Sequence, residues 1–255
     1  MTATLDVIGL SRHFGGLRAM DDVTLSLEKG ARHALIGPNG AGKTTFINLL
    51  TGHLRPSSGR ILFEGVDISA LAPSARVEAG IVRTFQINQL FLDMTPLQAV
   101  VLTVTRALGR QRAMWRRFGS DRDILRDSIA ALERFDLVDV MDERARDLPY
   151  GKQRLVEIAM AIACKPRLLL LDEPAAGVPE SDRADIVRSL ELMPDDASIL
   201  LVEHDMDLVF SFARQIWVLA FGRLSASGTV QEIVADPKVR EIYLGRDDDQ
   251  DGGFD

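Results

Sequence analysis

The chain has 255 residues, 46% of them hydrophobic, which is enough for a sizeable buried core in one large domain or a domain carrying an insertion. A formal net charge of −7 argues against a nucleic-acid binder, which usually presents a basic surface. The single cysteine, Cys164, excludes an internal disulfide and fits a reducing compartment. No apolar run approaches the roughly 20 residues that a membrane-spanning helix needs. The first residues lack a basic stretch followed by an apolar run, so no secretory signal is expected. The expectation is a soluble chain that reaches a membrane through a partner.

In chain order, residues 4–10 and 23–27 carry strand-type side chains, with a turn at Lys29 and Gly30. Residues 33–36 form a short strand that runs into a glycine-rich loop, and a helix is predicted over 43–51, ending near Gly52. Residues 60–63 form a further strand before a turn at Glu64 and Gly65, and 81–86 are short and apolar. The character then changes. Thr95 can cap a helix, Pro96 suits its first position and Gln98 completes a capping box. From there to Phe135 the pattern is helical and arginine-rich, as an inserted helical block would be.

Pro149 opens another helix, on which Leu155, Ile158, Ala159 and Ile162 share one face. Two buried-type strands, 167–172 and 198–203, flank a helix over 183–192; this strand-helix-strand order predicts a parallel sheet. Residues 216–220 and 223–226 form a hairpin around Gly222. The end, 246–255, is acidic and glycine-containing and is expected to be disordered. No internal repeat is evident.

Gly37, Pro38, Asn39, Gly40, Ala41, Gly42, Lys43 and Thr44 satisfy G-x-x-x-x-G-K-[ST], and they sit after a strand and before a helix as that motif requires. Small residues let backbone N–H groups curl around phosphate oxygens, and the helix N-terminus adds partial positive charge. Lys43 can reach the β- and γ-phosphates of a nucleotide, the Thr44 hydroxyl can ligate magnesium, and Thr45 continues the loop. Asp172, ending a run of four leucines, can hold magnesium, and Glu173 can polarise the attacking water as a general base. The bland readings are a chance glycine turn and a solvated acidic turn before Pro174. Their joint presence favours MgATP chemistry.

With three further features, the motifs resemble the nucleotide-binding subunits of ABC transporters. Gln86, after Arg83, Thr84 and Phe85, resembles the Q-loop glutamine. Leu148, Pro149, Tyr150, Gly151, Lys152, Gln153 and Arg154 resemble the family signature, and Glu203, His204 and Asp205 resemble the H-switch. The resemblance extends from Leu5 to about Gly245. Within the family it is most similar to the branched-chain amino-acid importer ATPases. That likeness rests on Phe14, Gly15, Gly16 and Leu17, on Tyr150 and Gly151, and on Pro174, Ala175, Ala176 and Gly177. The closing stretch with Gly228, Thr229, Asp236, Pro237, Tyr243, Leu244 and Gly245 adds to it.

The resemblance implies an α/β fold: a P-loop NTPase of the ABC type, over 1–245, with a mainly parallel sheet core. An antiparallel β-subdomain and a helical subdomain inserted at about 88–154 complete it. It implies ATP hydrolysis with ATP and Mg2+ as ligands. Phe14 would stack on adenine, although an aromatic there can also be plain core. Gln86 would sense magnesium and the attacking water and couple them to a membrane partner. His204 would contact the γ-phosphate. Thr44, Gln86 and Asp172 would hold the metal, and residues 149–153 would contact nucleotide bound by a facing subunit. His13, His33 and His53 are read as structural or exposed, and Cys164 as packing.

The implied partners are transmembrane permeases, a second ABC ATPase, identical or homologous, and indirectly a solute-binding protein. The implied place is cytoplasmic, on the inner face of the membrane, and no nucleic acid is expected. A lipid or lipopolysaccharide exporter subunit and a soluble ABC ATPase are the competing readings. A single phosphate loop and the lack of a heptad run disfavour the soluble ATPase.

Two departures stand out. The usual signature serine is Pro149, which supplies neither hydroxyl nor N–H, although it suits a helix start. After Glu173 the chain reads Pro174, Ala175, Ala176, Gly177, Val178 and Pro179 where the family commonly has an aspartate. Finally, Arg106, Arg110, Arg112, Arg116, Arg117, Arg122 and Arg126 surround Trp115 and Phe118. They form either a docking surface or, the duller reading, a solvated helical face.

Overall fold

Alternation of apolar and polar residues builds the N-terminal strands. The computed structural model describes residues 3–84, 90–110 and 121–244. They fall into two units, one of Met1–Pro73 with Leu200–Asp255 and one of Ser74–Ile199. The first contains β1 (Ala3–Phe14), β2 (Leu17–Glu28), β3 (Arg32–Ile36), α1 (Lys43–Thr51), β4 (Ser58–Phe63) and β5 (Val66–Asp67). The second contains α2 (Pro73–Ala79, from its second residue), β6 (Ile81–Arg83), α3 (Pro96–Ala107), α4 (Arg122–Glu133), α5 (Tyr150–Ala163), β7 (Leu168–Asp172) and α6 (Glu180–Glu191). The unit boundary falls within β8 (Ser198–Val202). After it the first unit resumes with α7 (Met206–Phe212), β9 (Gln215–Ala220), β10 (Arg223–Gly228), α8 (Val230–Ala235) and α9 (Pro237–Leu244).

In the first unit an antiparallel sheet has the order β2-β1-β4-β5. Leu5 pairs with Leu27, Val7 with Leu25 and Leu10 with Val23, and all six side chains are buried. The shift between Val7 and Leu10 is a bulge at Gly9, whose φ is 57°. A bulge inserts one residue and returns the next apolar side chain to the buried face. β1 and β2 therefore run on past the residues 4–10 and 23–27 that alternation alone marks. A second set pairs β9 parallel with β3 and antiparallel with β10. Phe221 and Gly222, at φ 50° and 74°, make the tight hairpin turn between β9 and β10. Apolar residues 216–220 on β9 and 34–36 on β3 are all buried. Each large aliphatic side chain so buried contributes about 1.5–3 kcal/mol.

In the second unit β6 lies parallel to β7, with Ile81 opposite Leu168. Thr95 caps α3 as expected. Its hydroxyl accepts from the Gln98 N–H at 3.2 Å, and the Gln98 side-chain oxygen accepts from the Thr95 N–H at 3.0 Å. The helical stretch expected to reach Phe135 is divided. α3 stops before Gly109, which takes φ 66°, and α4 starts afresh from the Asp121 cap. Backbone N–H donation from Ile124 is the main cause that holds the Asp121 carboxyl below its ordinary range. Residues 111–120, with Arg112, Arg116, Arg117, Trp115 and Phe118, lie outside the described residues, as does the 246–255 tail. α5 buries Leu155, Ile158, Ala159 and Ile162 and packs on α3, α4 and α6. Parallel and antiparallel pairing, with helices, make the fold α/β as the sequence implies.

Candidate functional site

Buried β3 delivers the chain to Gly37, where the loop begins. A Cβ at Gly37 would lie 2.1 Å from the Leu219 carbonyl oxygen, and one at Gly42, φ 106°, would lie 2.7 Å from the Ala19 oxygen. Both are glycine because other backbone occupies the space. Gly40, φ 78°, has nothing within 4 Å, so the loop is open there. The Ala41 N–H donates to Pro38 O at 3.2 Å, and Ala41 O accepts from the Gly222 N–H at 3.0 Å, which ties the loop to the β9–β10 hairpin.

α1 starts at Lys43 from Gly42 without a side-chain cap and with no acidic residue in its first turn. Its positive end thus meets no carboxylate from its own first turn, as an anion site requires. The Lys43 ammonium donates to Gly37 O at 2.5 Å and Pro38 O at 3.1 Å, so it is held over the loop. Thr44 and Asn39 are exposed and Thr45 is half-buried. On α9, burial pushes the pKa of the Tyr243 phenol up to about 12, with the Gly37 backbone acting the other way.

Three more residues belong to this unit. Phe14, at the end of β1, is 43% exposed, and the Arg12 guanidinium stands over its ring at 4.6 Å from the centroid. Glu203 is 1% exposed and accepts from the backbone N–H groups of His204 (2.9 Å) and Asp205 (3.4 Å). The His204 side chain is 66% exposed, with Nδ1 3.6 Å from that carboxylate. Asp205 caps α7 through the N–H groups of Asp207 and Leu208. His204 therefore sits on a turn fixed from both sides. His33 does prove structural. Its ring meets Trp217 edge-on at 4.8 Å, and burial lowers its pKa to about 4.

In the second unit, Asp172 ends the fully buried β7 and is itself buried. The Arg83 guanidinium donates to its Oδ2 at 2.6 Å. Glu173 follows at φ 47°, a left-handed backbone rare for a residue with a Cβ. Gln86 lies outside the described residues. At the signature, Pro149 is the residue before α5, with φ −54° and ψ 146°, and offers no capping side chain. The Gln153 side chain donates to Leu148 O at 2.9 Å, and Lys152 is half-exposed. A Cβ at Gly151 would sit 2.6 Å from an Asp182 carboxylate oxygen, so a methyl group there requires the Asp182 side chain to shift. The Tyr150 ring packs against Gly177, φ 74°, in the turn after Glu173. Sequence reasoning missed Arg83, Arg154 and Tyr243 as contributors. Arginine reads as surface, and its partners are far away in sequence.

The family model "ABC transporter" matches residues 20–176. The chain belongs to the ABC transporter family. A second model, "Branched-chain amino acid ATP-binding cassette transporter", matches residues 226–249 of this ABC ATPase. The probable branched-chain amino acid transport ATP-binding protein LivG of Archaeoglobus fulgidus is 37% identical, covering 96% of this chain and 97% of its own. The high-affinity branched-chain amino acid transport ATP-binding protein BraF of Pseudomonas aeruginosa is also 37% identical, covering 94% and 97%. A crystal structure of an ATP-binding cassette of an ABC transporter in its ADP conformation superposes with a TM-score of 0.84. It has 32% identity and covers 96% of this chain and 100% of that one. The chain is an ATPase that binds ATP. No helix among the described residues is long and apolar enough to cross a membrane.

Proposed function

We propose that this ABC ATPase couples MgATP hydrolysis to import of branched-chain amino acids or a related small amphipathic carboxylate solute. The observation that carries the solute class is the match of residues 226–249 to the branched-chain family model. Relatives along nearly the whole chain bear the same description. The partners are transmembrane permeases, a second ABC ATPase and, indirectly, a solute-binding protein. They place this chain on the cytoplasmic face of a membrane.

Residues 37–45 grip the triphosphate through backbone N–H groups, and Lys43 supplies its ammonium to the β- and γ-oxygens. Among the described residues no cluster of three His, Cys, Asp or Glu could hold a metal alone. That suits magnesium, which keeps water and phosphate oxygens and needs only one or two protein oxygens. The Thr44 hydroxyl and the Asp172 carboxylate are hard donors of that kind, with Gln86 beside them in role. Bound there, magnesium would neutralise developing charge on the phosphates.

Glu173 accepts a proton from water as the water oxygen bonds to the γ-phosphorus. The bond to the bridging oxygen breaks, giving ADP and phosphate. His204 donates toward the γ-phosphate, Phe14 stacks on adenine, and residues 149–153 of a facing ATPase complete the site. A γ-phosphate held on one side only keeps much of its developing charge unstabilised, which is why a second subunit is needed.

The test is ATP hydrolysis by the chain assembled with its permeases in vesicles, with the associated binding protein loaded in turn with leucine, isoleucine, valine or a lipid. Stimulation and uptake with the branched amino acids alone are expected. Stimulation by lipid alone would replace import with export.

A further inference from the structure

Arg154 lies on α5, the helix that starts at the signature, and its side chain is 1% exposed. Its Nε donates to Pro174 O at 2.9 Å, and one terminal nitrogen donates to the carbonyls of Asp172 and Glu173, both at 3.2 Å. The other terminal nitrogen meets the Glu157 carboxylate at 2.5 Å, which neutralises the buried charge. One guanidinium thus takes the backbone oxygens of three successive residues. Those residues are Asp172, which ends β7, Glu173 at φ 47°, and Pro174. A left-handed residue with a Cβ is strained and persists only where its surroundings hold it.

The planar fork of arginine suits such a multidentate grip, and the compact ammonium of lysine does not. The duller account is a buried ion pair that merely staples the unit. It does not explain why the guanidinium reaches three successive carbonyls here as well as Glu157.

We propose that Arg154 is a positioning residue for hydrolysis: it sets the backbone from which the Glu173 carboxylate projects and ties that turn to the signature helix. The proposal rests on Glu173 as the general base. Displacement of a catalytic group by about 1 Å can cost on the order of 100-fold in rate.

The test uses the full chain in its permease complex. Arg154→Met with Glu157→Leu removes both charges, so that no unpaired carboxylate stays buried. Arg154→Lys keeps a cation beside Glu157 and carries the comparison if the double variant does not fold. ATP affinity, the thermal unfolding midpoint and turnover are measured with Glu173 intact and in a Glu173→Gln background.

The expected result is ATP affinity within about twofold of the parent. Turnover falls at least tenfold with Glu173 intact and less than twofold in the Gln background. Equal fold losses in both backgrounds, or undiminished turnover in a folded Arg154 variant, would overturn the proposal. Undiminished turnover of Glu173→Gln itself would remove the base assignment, and the proposal with it. That failure is told apart because it appears with Arg154 intact.

Discussion

At Gly37 one methyl group would collide with the Leu219 carbonyl, whereas at Gly40 it would meet nothing. Backbone cannot move aside as a side-chain tip can, so Gly37→Ala forces a shift of the loop or of β9. Such overpacking costs about 1–3 kcal/mol. Both glycines stand at positive φ, so denaturant unfolding should show this loss on top of the conformational strain for Gly37→Ala, and the strain alone, about 1–2 kcal/mol, for Gly40→Ala. Equal losses at the two positions would show that contact with β9 does not govern Gly37. The loop was legible in the sequence because its spacing encodes its chemistry: glycines where backbone crowds, then a lysine and a hydroxyl. Arg83 and Arg154 were not legible. Nothing local to Arg83 indicates Asp172, and nothing in the helical pattern around Arg154 indicates three carbonyls from the turn after β7.

At the scale of elements, α5 starts without a side-chain cap because its cap position is Pro149. A serine there would restore a hydroxyl to the helix end and, in the assembly proposed above, to the phosphate held by the facing subunit. Capping is worth about 1 kcal/mol, and a hydrogen bond to a charged group about 1.5–3 kcal/mol. Pro149→Ser is therefore expected to raise ATP turnover of the complex about tenfold. Unchanged or lower turnover would mean that the helix N-terminus and the Gly151 amide already suffice.

Elements were readable where caps and periodicity agree, as at Thr95 and along the α5 face. They were misjudged where a bulge breaks the period, as at Gly9, and where the helix is only a turn or two long. α2, α7 and α8 went unread for that reason, although Asp205 and the Thr229–Glu232 capping box mark two of the starts.

For the whole molecule, β3 feeds the phosphate loop and β7 ends at Asp172, so strands deliver the chemistry to loops at their C-terminal ends. The parallel pairing was foreseeable from unbroken apolar runs between helices. The conformation of the turn at Glu173 was not, since it is held by Arg154 from elsewhere in the chain, whereas the turn at His204 is held by its neighbours Glu203 and Asp205.

The most direct measurement is ATP hydrolysis by the complex carrying Lys43→Ala or, separately, Glu173→Gln, with ATP binding followed in parallel. Lys43→Ala should lose binding and turnover together. Glu173→Gln should keep binding and lose at least 100-fold in turnover, the scale of general-base catalysis. Either variant consuming ATP at the parental rate would contradict the roles assigned to these residues.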